Sequence, residues 1–235
     1  MDKAVSFAQI MQVKVCGIRR EEDALLAAEY GADAVGLLVG QRHSSPDFIS
    51  EDLAARICRA LPPSLEAVLV THIPEVNEVE QLVHETGITT VQLHSEIVAD
   101  AIRELRGRFP HLRVFKAVHV LAAESVEYPE HFRGVVDGFV LDSINLATDQ
   151  VGGTGKVHDW AVSRQIVTRY SGIPIFLAGG LNPQNVRAAI ELVKPFGVDV
   201  NSGTRGTDGF KDAQKLRDFI SEAKQAGREA SKRVE

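Results

Sequence analysis

At 235 residues, 44% hydrophobic and 25% charged, the chain has the composition of a water-soluble globular domain. A net charge of −6 without a basic run gives no footprint for nucleic acid. No apolar stretch approaches the ~18 residues that a membrane span requires. The first residues lack a signal-peptide pattern. Two cysteines, Cys16 and Cys58, make no disulfide framework, and no Cys/His cluster has zinc spacing. A reduced, cytoplasmic location without metal is the expectation.

Eight short runs rich in Val, Ile, Leu and Ala begin near Gln12, Asp33, Leu65, Thr89, Leu112, Val135, Ile173 and Gly197. Their near-continuous hydrophobicity suits parallel strands buried on both faces. Between them lie helical patterns. Glu21 to Tyr30 is stopped by Gly31, and Ser50 caps a helix carrying Leu53, Ile57 and Leu61. Pro74 opens a third, Val98 to Leu105 mark a fourth, and a short fifth around Leu121–Val126 is broken by Pro129. Asp159 caps the sixth, Pro183 opens the seventh, and Leu216, Phe219 and Ile220 belong to the last. Strand and helix alternating eight times predict an α/β fold, a single (β/α)8 TIM barrel over residues 1–235. The Gly-x-Gly-x-x-Gly of an open dinucleotide-binding sheet does not follow the first strand.

In such a barrel the chemistry stands at the C-terminal ends of strands, with phosphate held after strands seven and eight. Those ends are Gly179-Gly180 and Ser202-Gly203, where bare backbone N–H groups can close around an anion. The first strand ends at Cys16, flanked by Lys14 and Arg19, cations that could favour a thiolate. A buried cysteine is also an ordinary small core residue. The sixth strand ends at Asp142, a carboxyl group that must be paired or face a cleft, and that could equally structure its loop. From strands one and six, Cys16 and Asp142 face each other across the barrel mouth as base and acid for a proton transfer, with no cofactor required. Lys116 is taken as the end of strand five. His43, His72 and His94 are rim histidines that could make polar contacts, and Gly152 to Lys156 reads as an active-site loop.

Several motifs resemble the phosphoribosylanthranilate isomerase family of tryptophan biosynthesis. They are Lys14-Val-Cys-Gly-Ile, Gly31-Ala-Asp-Ala-Val-Gly36, Gln92-Leu-His94, Leu141-Asp-Ser143, Gly152-Gly-Thr-Gly155 with Asp159-Trp160, Leu177-Ala-Gly-Gly-Leu-Asn-Pro183 and Val198-Asp-Val-Asn-Ser-Gly203 with Gly209 and Lys211-Asp212. The resemblance runs from Val13 to about Phe219. It implies a (β/α)8 barrel performing a cofactor-free Amadori rearrangement of N-(5-phosphoribosyl)anthranilate. Cys16 would be the general base on C2, Asp142 the general acid on the ring oxygen, and Gly179, Gly180, Ser202 and Gly203 the phosphate cup.

Two departures from the family pattern bear on the aromatic acid. Where the family reads Ser-Pro-Arg after strand two, this chain has Ser45-Pro46-Asp47; where it has an acidic residue after Ser-Gly-Val, this chain has Thr204-Arg205. The family's Gln-Leu-His-Gly is here Gln92-Leu93-His94-Ser95. Arg42 or Arg205 could replace the missing cation for a carboxylate. Arg42, His94, Gly153 and Arg205 complete the candidate substrate contacts. The expected partner is a small phosphorylated aminosugar, neither nucleic acid nor membrane, on a monomer or homodimer. Another phosphorylated aminoaldose, or phosphate-ester binding without turnover, are the alternatives.

Overall fold

The computed structural model describes residues 11–40, 42, 45–145, 150–151 and 157–232. Eight parallel strands close into a barrel: β1 (Gln12–Cys16), β2 (Ala34–Leu38), β3 (Glu66–Thr71), β4 (Thr90–Leu93), β5 (Arg113–His119), β6 (Gly138–Asp142), β9 (Ile175–Leu177) and β10 (Gly197–Val200). Their order is β1-β10-β9-β6-β5-β4-β3-β2, so β1 pairs with both β2 and β10 and leaves no edge. A separate antiparallel ribbon, β7 (Ile144–Asn145) and β8 (Gln150–Val151), follows β6 in the chain.

Among the described residues seven α-helices follow the strands: α1 (Glu21–Glu29), α2 (Glu51–Ala60), α3 (Val76–Thr86), α4 (Ala99–Arg108), α5 (Trp160–Arg169), α6 (Val186–Val193) and α7 (Ala213–Lys232). Ser50 caps α2, its Oγ accepting from Leu53 N at 3.3 Å, and Asp159 caps α5, its Oδ1 accepting from Ala161 N at 2.8 Å. Between β5 and β6 the expected fifth helix is replaced by 3-10 turns at Ala123–Val126 and Tyr128–Phe132. Pro129 sits inside the second, where its missing N–H and fixed φ do not permit an α-helix to run through. Pro183 lies ahead of α6 in a turn built by asparagines: Asn182 Oδ1 accepts from Gln184 N and Asn185 Oδ1 from Asn182 N.

Because side chains alternate across a strand, every second residue points into the barrel. The outward set, including Val13, Val15, Leu69, Val91, Leu93, Phe139, Leu141 and Val198, packs against the helices as the main core. Inside, Phe115, Val140, Phe176 and Ala178 form one cluster and Cys16, Ala34, Leu38, Val68 and Val70 another. Polar groups also occupy the interior. Lys14 Nζ bonds Asp199 Oδ2 at 2.7 Å and Gln92 Oε1 at 2.8 Å, joining β1, β10 and β4 across the lumen. A buried cation is tolerated only when paired in this way.

Candidate active site

Cys16 and Asp142 are the last residues of β1 and β6, and both point inward and are buried, 7% and 8% exposed. The thiol owes its opening to a glycine. A Cβ at Gly36, its register partner on β2, would stand 2.6 Å from Sγ. Asp142 has one oxygen committed, since Oδ1 accepts from Ser143 N at 2.7 Å.

Burial raises both groups, and leaves the thiol well above the carboxyl group. Burial raises the Cys16 thiol to about 12 against the attraction of Lys14, while Asp199 raises it further, Lys211 lowers it and Asp47 raises it. Burial also raises Asp142, to about 7, against the Ser143 N–H bond; Asp199 adds to the rise and Lys14 opposes it. A carboxyl group at that level can give up a proton near neutrality.

The sequence named His72 and His94 near the pair but passed over His119. Lys116 is mid-strand and points outward, its ammonium lying over the Tyr128 and Phe132 rings. The strand runs on to His119, which shares the inward parity of Phe115 and Ala117. His119 joins His94 and His72 in a row over the ends of β5, β4 and β3. Ring centroids are 5.1 Å apart for His94–His119 and 5.0 Å for His72–His94, and Phe48 meets His72 edge-on at 5.3 Å. Burial holds His94 well below the usual histidine value, helped by His72, His119, Lys116 and Lys14; burial, then Lys116, takes His119 to about 4. Both rings are therefore neutral at pH 7.

After β9 and β10 the two glycine corners meet. Gly179 and Gly180 adopt φ of 79° and 69°, and a Cβ at Gly203 would lie 1.9 Å from the Leu181 carbonyl oxygen. None of the N–H groups of Gly179, Gly180, Ser202 and Gly203 donates to a backbone acceptor among the described residues. These donors and the αL glycines make a nest suited to an anion. His158 stands beside it, with Nδ1 3.0 Å from where a Gly179 Cβ would be.

The two departures in the loops after β2 and β10 prove to be partners. Asp47, 6% exposed, accepts from Arg205 Nη2 through both oxygens, and from Asn201 Nδ2 at 2.9 Å. Asn201 in turn accepts from Lys211 Nζ at 3.1 Å. Arg42 is at the rim, its side chain 48% exposed and bonded to Glu75 and Glu78. Gly153, His43 and the stretch 152–156 lie outside the described residues.

A family profile described as N-(5'-phosphoribosyl)anthranilate (PRA) isomerase matches residues 13–222. The chain belongs to that family. It is 50% identical over 214 residues to N-(5'-phosphoribosyl)anthranilate isomerase 2 of Methanosarcina mazei, covering 91% of this chain and 94% of that one. The crystal structure of phosphoribosyl anthranilate isomerase from Thermotoga maritima aligns with a TM-score of 0.78 at 35% identity, covering 92% and 99% of the two chains. A phosphoribosyl anthranilate isomerase solved in complex with reduced 1-(o-carboxyphenylamino)-1-deoxyribulose 5-phosphate aligns with a TM-score of 0.74 at 33% identity, again over 92% and 99%. Among the described residues, no helix is long and apolar enough to cross a membrane.

Proposed function

We propose that the barrel catalyses the cofactor-free Amadori rearrangement of N-(5-phosphoribosyl)anthranilate to 1-(2-carboxyphenylamino)-1-deoxyribulose 5-phosphate, with Cys16 as general base and Asp142 as general acid. Family membership makes the chain an isomerase of tryptophan biosynthesis; the assignment of roles is our reading. The observation that carries it is the inward placement of a thiol and a raised carboxyl group at the ends of β1 and β6.

The steps follow from those positions. The 5-phosphate sits in the nest of Gly179, Gly180, Ser202 and Gly203, anchoring the ribose over the mouth. Asp142 gives its proton to the ring oxygen as the C1–O bond breaks and the anthranilate nitrogen lone pair forms a C1=N iminium. Cys16 takes the proton from C2, and the C–H electron pair becomes the enamine double bond, which tautomerises to the ketose.

The pKa order adds a constraint. Between about 7 and about 12 the resting site holds a thiol and a carboxylate. The productive pair, thiolate and carboxylic acid, is then a minor form. Its share is level across that window and falls below pH 7. The same values favour a second reading, in which the abundant carboxylate of Asp142 is the base and the Cys16 thiol the acid. Isotope effects in substituted enzymes separate the two.

The pairing of Asp47 with Arg205 removes the unpaired negative charge that favoured a different aminoaldose. Cys16 and Asp142 together speak against phosphate binding without turnover, which needs neither. A cytoplasmic enzyme, monomeric or homodimeric, completes the proposal. The test is loss of substrate fluorescence with chemically generated phosphoribosylanthranilate, alongside growth rescue of a tryptophan auxotroph lacking its isomerase. Turnover and rescue are expected. A folded protein that binds phosphate but shows neither result would overturn the assignment.

A further inference from the structure

The proton transfers between Cys16, Asp142 and substrate leave the row of His72, His94 and His119 unused. Its middle member is the informative one. His94 Nε2 is buried and has no hydrogen-bond partner among the described residues. It lies 3.7 Å from Asp142 Oδ2, the carboxyl oxygen that Ser143 does not hold. That gap is too long for a hydrogen bond, yet one a small rotation closes, as catalytic contacts do when substrate binds. The flanking rings fix where His94 can go. His119 stacks on it at 28° between planes and the His72 ring is tilted at 37°, so the imidazole has a ring neighbour on each adjoining strand while Nε2 faces Asp142 of β6.

We propose that His94 is a positioning residue for Asp142, donating from Nε2 to Oδ2 so that the carboxyl plane is fixed between this donor and the Ser143 N–H. The proposal rests on the reading of Asp142 as general acid and deepens it. Before proton transfer the two donors hold the acid with its O–H aimed at the ring oxygen. After transfer the proton is on substrate, and the carboxylate left behind keeps both donors. Hydrogen bonds to a charged acceptor are the strong ones, so the contact is worth more after the proton has left than before it. The groups facing His94 are His72 from the end of β3, His119 from β5, Lys14 from β1 and Asp142 from β6, and the outward Lys116 of β5 acts on it through its charge. Burial first, then the flanking histidines and the two lysines, keep the ring neutral, so that it donates one hydrogen bond without competing for the proton that Asp142 must deliver.

The test follows Asp142 itself, by carboxyl carbon NMR titration of the labelled protein with reduced 1-(o-carboxyphenylamino)-1-deoxyribulose 5-phosphate bound, with kcat and KM measured in parallel. His94→Phe keeps a ring between His72 and His119 but removes the donor; His94→Leu serves if Phe disturbs the fold, and His94→Gln restores an N–H. Loss of a donor to the carboxylate should raise the Asp142 midpoint by about one unit. In the same variants kcat should fall at least tenfold with KM little changed, and His94→Gln should recover part of both. A midpoint unmoved in a folded His94→Phe or His94→Leu protein would overturn the proposal. Should Asp142→Asn retain full turnover while the midpoint still moves, the contact stands and the acid assignment falls.

Discussion

Asp47 accepts from Arg205 Nη2 at 2.6 and 2.5 Å, joining the loop after β2 to the loop after β10 across the end of β1. Each residue alone departs in charge from the family pattern, and the structure makes the two departures one ion pair. All three described contacts of the Arg205 guanidinium are made by Nη2, two to Asp47 and a longer one to Asn201.

Reversing one member should therefore be worse than reversing both. Asp47→Arg sets two guanidinium groups against each other beside Lys211 and should raise KM and lower stability. Asp47→Arg with Arg205→Asp restores the pair in the opposite sense and should recover most of both. Chemical denaturation and steady-state kinetics on the four proteins of the cycle give the coupling directly. Additive effects would show that the pair contributes nothing.

Asp142 should cost the fold stability at neutral pH. Its folded-state pKa is about 7 against an ordinary value of 3.8, so the folded protein holds a proton that the unfolded chain releases between those values. Stability contributed through this group falls as pH rises through that window. Asp142→Asn should then be more stable than the wild type by about 4 kcal/mol at pH 8 and equal to it below pH 4. Thermal unfolding at the two pH values checks the sign. In the active enzyme, kcat/KM should rise with pH up to about 7 and then level off.

Lys14 sits at the centre of the barrel with Asp199 and Gln92. Lys14→Met leaves Asp199 buried without its cation, a loss of about 3–5 kcal/mol for a broken buried pair. Urea unfolding should show it. The double variant Lys14→Met with Asp199→Leu should recover much of that loss, because an apolar pair needs no counter-charge.

Gly203→Ala tests the phosphate nest. Its Cβ would stand 1.9 Å from the Leu181 carbonyl oxygen, so the corner must open. Inorganic phosphate should protect the wild type against thermal unfolding and lose most of that effect in the variant.

How much of this the sequence carried follows from range. The barrel was legible because buried parallel strands are continuous apolar runs, and Cys16 and Asp142 because each ends one of them. His119 was missed because Lys116 was taken as the end of β5; counting alternate residues from Phe115 would have put His119 inside. The Asp47–Arg205 pair joins positions 158 residues apart. Only the closure of β1 onto both β2 and β10 brings them together. The fifth helix gave way to two 3-10 turns, the second with Pro129 in its first turn.

The division of labour between Cys16 and Asp142 is tested most directly by the primary deuterium isotope effect at C2 of the substrate, measured on kcat for Cys16→Ser and Asp142→Asn. If the cysteine removes the C2 proton, Cys16→Ser makes that step limiting and shows a large effect. Asp142→Asn makes ring opening limiting and shows an effect near unity. The reverse pattern, a large effect in Asp142→Asn and none in Cys16→Ser, would contradict the assignment.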